Sequence, residues 1–173
     1  MIAMPFTKDE QAANRLGSAI DGFIHGDYRM LWFVTLTSPG TPTLKHSRDR
    51  FAKLRRQMES EFGRHPGLWV IEVKPRTNRA NPTSNSATVA HFHFLYQLNK
   101  PPQLLTQWLM THWYPAHHLV GDKGKVVVKR AYPGVKHYMS KGSDVELPDG
   151  SKRFGVWGTG SHLYKDRVDL SAR

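Results

Sequence analysis

Two apolar runs rich in β-branched and aromatic residues, Leu68–Lys74 (LWVIEVK) and Val89–Leu98 (VAHFHFLYQL), stand on either side of one polar loop, Pro75–Thr88. Strand, loop, strand in that order predicts a hairpin with a long tip. A hairpin in the middle of a chain makes an antiparallel sheet its frame, and the rest of the chain must cover that sheet.

The flanking segments have helical spacing. Thr7-Lys8-Asp9-Glu10 has the form of a capping box, Ala12, Leu16, Ile20, Phe23 and Ile24 follow on one stripe, and Gly26 ends the run. Tyr28–Ser38 reads as a buried strand stopped by Pro39-Gly40. Leu44, Phe51, Leu54, Met58 and Phe62 mark a second helix before Gly63, with Arg48, Arg50, Lys53, Arg55 and Arg56 on its exposed face. Pro101-Pro102 opens a third, carrying Leu104, Leu105, Trp108, Leu109 and Trp113. Lys125–Lys129 is a short strand, Pro133–Lys141 a short helix, Leu147–Gly150 a turn and Arg153–Trp157 a last strand. The order α-β-α-β-β-α-β-α-β predicts an α+β fold: a single antiparallel sheet, helices packed on one face, and the opposite face open for a partner. One domain is expected over residues 1–173, with a core over about 29–158, an N-terminal helix over 7–25 and a polar tail over 161–173.

Charge narrows the partner. Lys and Arg number 25 against 14 Asp and Glu, a surplus of +11, which favours a polyanion. Nucleic acid comes first and an anionic membrane surface second, with a solvated positive face as the bland alternative. There is no cysteine, so disulfides, thiolate metal sites and cysteine nucleophiles are excluded. The same lack fits a reducing compartment, and a cytoplasmic location is expected. No apolar stretch is long enough to span a membrane, and the start of the chain does not read as a signal peptide, so no membrane partner is expected.

Within the central hairpin, His91 and His93 are two apart and project from one face of their strand, while Phe92 and Phe94 project from the other. Ten histidines in 173 residues make such a pair a common accident, so it needs support. On the preceding strand Trp69, Ile71 and Val73 form the inward set, which turns Glu72 towards the histidine face if the two strands pair. A carboxylate in an apolar strand is explained by a solvated face, by a neighbouring arginine, or by service as a third ligand. Two imidazoles and one carboxylate would leave coordination positions open, as a catalytic ion needs, and with phosphate as substrate Mg²⁺ or Mn²⁺ is the expected ion. Further on, Val135 and Met139 give the short helix its core stripe and place Tyr138 and Lys141 on an adjacent face. Tyrosine is a weak nucleophile at neutral pH unless a cation or a polarised phosphate assists it, and Lys141 is the expected cation. The alternative for that helix is a half-buried tyrosine beside a solvated lysine.

His-hydrophobic-His on a strand followed by Tyr-x-x-Lys on a helix resembles the HUH endonuclease superfamily, and more narrowly its rolling-circle replication initiators of plasmids and single-stranded DNA phages. Phe33-Val34-Thr35-Leu36-Thr37 is similar to that family's first motif, Ala90-His91-Phe92-His93 to its metal motif and Tyr138-Met139-Ser140-Lys141 to its nucleophile motif; Arg153–Gly158 is similar to a late aromatic-glycine segment. The tyrosine follows the histidines, unlike the order usual in conjugative relaxases. The nearest upstream tyrosine, Tyr132, is six residues away beside Pro133, so one nucleophile is expected. The resemblance implies a ferredoxin-like core and an open DNA-binding face. It also implies site-specific nicking and joining of single-stranded or hairpin origin DNA through a 5′-phosphotyrosyl intermediate. There is no phosphate-binding Gly-x-x-x-x-Gly-Lys-Ser/Thr run, so a separate host helicase and polymerase are expected. Two rivals stand beside it: a non-catalytic single-stranded nucleic-acid binding module and a single-tyrosine transposase of the same superfamily. A zinc site from His112, His117 and His118 suits the Trp113–Pro115 interruption poorly.

Overall fold

The computed structural model describes residues 8–24, 30–38, 43–75, 88–113, 126–140, 147 and 153–158. In chain order these form α1 (Lys8–Ile24), β1 (Leu31–Thr37), α2 (Leu44–Phe62), β2 (Gly67–Pro75), β3 (Thr88–Gln97), α3 (Pro102–Trp113), β4 (Val126–Arg130), α4 (Val135–Ser140) and β5 (Phe154–Trp157). The strands make one antiparallel sheet in the order β4-β1-β3-β2-β5. From β1 to β4 the succession is β-α-β-β-α-β, the ferredoxin-like arrangement, with β3 at the centre. The α+β class and the single antiparallel sheet are therefore present as expected. No helix among the described residues is long and apolar enough to cross a membrane.

Alternation along the strands sorts the core into two layers. Trp32, Val34 and Leu36 of β1, Ile71 of β2, and Phe92, Phe94 and Tyr96 of β3 point to one face. There they meet Phe51, Leu54 and Met58 of α2 and Leu105, Leu109 and Trp113 of α3. The Thr43 hydroxyl accepts from the His46 N–H at 3.2 Å and so starts α2 at a defined residue. Phe51 stacks on Phe92 with ring centroids 4.4 Å apart, at the middle of this layer.

The second face is divided. Leu31, Phe33, Leu68, Val70 and Leu95 make one end of it apolar, and that end is covered by Leu16, Ala19, Ile20 and Phe23 of α1 together with Val135 and Met139 of α4. The other end carries Thr35, Thr37, Glu72, His91 and His93, so it has no apolar surface demanding a helix. Among the described residues the open part is thus half a face, and the helices are shared between both sides. β5 joins the β2 edge over Gly67–Val70, and two of the pairs mirror each other, Gly67 opposite Trp157 and Trp69 opposite Gly155. A Cβ on Gly67 would lie 2.2 Å from the Trp157 ring, so only glycine lets that indole lie flat there.

The Thr7 cap, the hairpin tip over 76–87, His117, His118, Lys141 and the tail lie outside the described residues.

Candidate metal centre and nucleophile

Pairing register brings the separate site residues together. In the β2–β3 pair Glu72 stands directly opposite His91, and in the β1–β3 pair Thr35 stands opposite His93 and Thr37 opposite His91. Both imidazole rings project from the same side, 6.2 Å between centroids and 4° from parallel. His93 Nε2 lies 3.2 Å from Glu72 Oε2. Lys74, two residues along β2 from Glu72 and on the same face, places Nζ 2.9 Å from that same oxygen. Tyr138 reaches the cluster from α4: its ring meets His93 edge-on at 5.1 Å and Phe33 at 5.5 Å. Tyr138 is 42% exposed and His93 only 3%. The expected residues Glu72, His91, His93 and Tyr138 therefore share one surface.

Thr35 and Thr37 were visible in the sequence only as part of a motif. Their hydroxyls lie 3.0 Å and 3.1 Å from Nδ1 of His93 and His91. Period-two spacing from Phe33 placed them on this face, but only the register shows which histidine each one meets. Lys74 was signalled by the same period from Glu72.

Protonation follows from these contacts. Burial is the strongest influence on His93 and pushes its pKa down, with the contacts to Glu72 pulling the other way. His91 is lowered mainly by burial and then by the Lys74 charge. Burial of Glu72 raises its pKa, yet the hydrogen bonds from Lys74 and His93 outweigh that and hold it below the usual carboxylate range. At neutral pH the site holds a carboxylate and two neutral imidazoles. A carboxylate only accepts, so His93 Nε2–H donates to Glu72 and Nδ1 accepts from the Thr35 hydroxyl. A hydroxyl rotor can also accept from Nδ1–H, which would turn the Nε2 lone pair towards a metal.

Among the described residues no three His, Cys, Asp or Glu side chains converge closely enough to form a ready metal cage. The donor chemistry nevertheless fits a divalent ion: an ionised carboxylate, two neutral imidazoles on one face, and hydroxyls fixing the far ring nitrogens. Glu72 and His93 are already in contact, and His91 stands parallel beside them.

The lowered imidazole values set a pH dependence. Histidine in an unfolded chain titrates near 6.5, about where His91 and His93 would sit if unburied. Below that pH the unfolded chain binds more protons than the fold, so metal-free stability falls as pH drops through that range. Glu72 adds a further loss at lower pH, as its carboxylate takes up a proton. Urea midpoints are expected to be lower at pH 5.5 than at pH 7.5. An unchanged midpoint would contradict the burial of these rings.

No protein-family model, curated protein or solved structure matches the chain.

Proposed function

We propose that this chain is a metal-dependent endonuclease that cuts and rejoins single-stranded DNA through Tyr138, in the manner of the rolling-circle initiators its motifs resemble. The observation that carries the reading is the edge contact of Tyr138 with His93, whose Nε2 is in turn against Glu72. A nucleophile and three ligand-type side chains from three separate elements share one open patch in a chain of charge +11.

Glu72, His91 and His93 would hold Mn²⁺ or Mg²⁺, which polarises a scissile phosphate and offsets its developing charge when bound. Tyr138, itself half-exposed, stands at the edge of the patch with its ring against His93. Its oxygen attacks phosphorus and forms a phosphotyrosyl ester with the 5′ side of the cut. The bond to the 3′ oxygen breaks, and that oxygen leaves with a proton as a free 3′-hydroxyl able to prime synthesis. One phosphodiester is exchanged for another, so rejoining needs no nucleotide. Lys141, three residues along from Tyr138, is the proposed cation that favours the phenolate. A host helicase and polymerase would extend the primed strand.

The test is a covalent adduct. The full chain is incubated with origin-like single-stranded hairpin DNA and Mn²⁺ and run on a denaturing gel. A protein–DNA band is expected, lost with EDTA and lost in Tyr138→Phe. A band that persists in Tyr138→Phe moves the nucleophile, with exposed Tyr132 next in line. DNA binding with no adduct in any metal would favour a non-catalytic module.

A further inference from the structure

Glu72 Oε2 is shared by two donors, Lys74 Nζ at 2.9 Å and His93 Nε2 at 3.2 Å. A carboxylate oxygen has two lone pairs, and both are engaged. A divalent ion ligated by His93 Nε2 needs the tautomer in which that nitrogen carries no proton, so it takes the place of the His93 N–H on Glu72 and stands beside the Lys74 ammonium, where two cations on one carboxylate repel. His93 is buried and can stay in place by changing tautomer against Thr35. The Lys74 side chain is 51% exposed, on a flexible stem with water beside it, so the ammonium is the group that can leave. An ammonium released next to a bound phosphodiester is a point-charge ligand for phosphate oxygen.

We propose that Lys74 is the resting counter-ion of Glu72, that a divalent ion competes with its ammonium for Oε2, and that the freed ammonium binds a phosphate oxygen of the substrate strand. This rests on the metal-dependent reading of the site. Tyr138 meets His93 beside Phe33 on the β1 side, and Lys74 stands on the β2 side. The two therefore flank the ligand patch. Metal and strand binding become coupled, and the coupling is reciprocal: each tightens the other.

The experiment measures Mn²⁺ binding to the full chain by calorimetry and oligothymidylate binding by fluorescence anisotropy, with and without Mn²⁺. The proteins are wild type, Lys74→Met, His91→Ala and the charge control Lys100→Met. Lys100 is exposed beyond the far end of β3. Lys74→Met is expected to bind Mn²⁺ several-fold tighter than wild type, with the gain persisting at raised salt because a contact pair is screened little. Lys100→Met should match wild type. Mn²⁺ should tighten oligothymidylate binding about fivefold or more in wild type, and most of this gain should be lost in Lys74→Met, where only the ion itself still meets the strand. Lys74→Met binding Mn²⁺ no tighter than wild type, or keeping the full metal-dependent gain, overturns the proposal. His91→Ala separates the two levels. If it binds Mn²⁺ as wild type does, the metal reading falls and this proposal with it. If it loses Mn²⁺ while Lys74→Met behaves as wild type, only the role of Lys74 falls.

Discussion

Replacing His93 by alanine is expected to abolish Mn²⁺ binding and cut adduct formation at least about a hundredfold, while leaving a folded protein. A metal ion at a transferring phosphate is worth several kcal/mol, and each 1.36 kcal/mol is a factor of ten in rate. The fold should survive because the partners of His93 keep alternatives. Glu72 retains Lys74, and the Thr35 hydroxyl can turn to water in the space the ring vacates. A stability loss of about 1–3 kcal/mol is expected for a buried side chain of this kind. Thermal unfolding separates folding from ligation. Mn²⁺ at a hundred times its Kd should stabilise wild type by about 2.7 kcal/mol and leave His93→Ala unmoved. A variant that still shifts with Mn²⁺ would show that the ion binds elsewhere.

The second large effect is expected at Phe92, directly between the two histidines. Its ring is fully buried, stacked on Phe51 and edge-on to Trp113 at 5.7 Å. Phe92→Ala leaves a cavity under the centre of the sheet, costing about 3–5 kcal/mol. Domains of this size are stable by about 5–15 kcal/mol, so the loss can unfold much of the population. Urea denaturation measures it, and Phe92→Leu should recover most of the loss. A cost below about 1 kcal/mol would mean that the α2 layer is not packed on β3 as described.

The two strands of the hairpin were legible because polar and apolar side chains alternate over Ile71–Lys74 and His91–Phe94. Ile71 against Glu72, and Phe92 against His91 and His93, fix which side each residue takes before any fold is known. The pairing partner was not legible in that way. That Glu72 faces His91, and that Thr35 faces His93, depends on register, which turn geometry and the packing of whole faces decide. The N-terminal helix shows the same limit. Leu16, Ile20 and Phe23 announce an apolar stripe, but the stripe does not say that it seeks the second face of the sheet. The clue lay in β1 and β2, where Leu31, Phe33, Leu68 and Val70 make that face apolar at one end only. Lys141 falls outside the described residues, so the cation proposed for Tyr138 rests on helical spacing alone.

α4 has six residues, under two turns, and a helix so short does not persist by itself in water. Val135 and Met139 hold it in one apolar cluster with Leu16, Ile20 and Phe23 of α1, and Lys136 is paired with Asp21. The place of Tyr138 therefore depends on a segment made more than a hundred residues earlier. On the proposed chemistry, a growing chain has the scaffold before it has the tyrosine, and a chain clipped within α1 keeps the tyrosine but loses the scaffold that aims it. Competence to nick would then arrive in one step, when the last part of the chain docks on the first, and genomic DNA would be spared the attentions of unfinished copies.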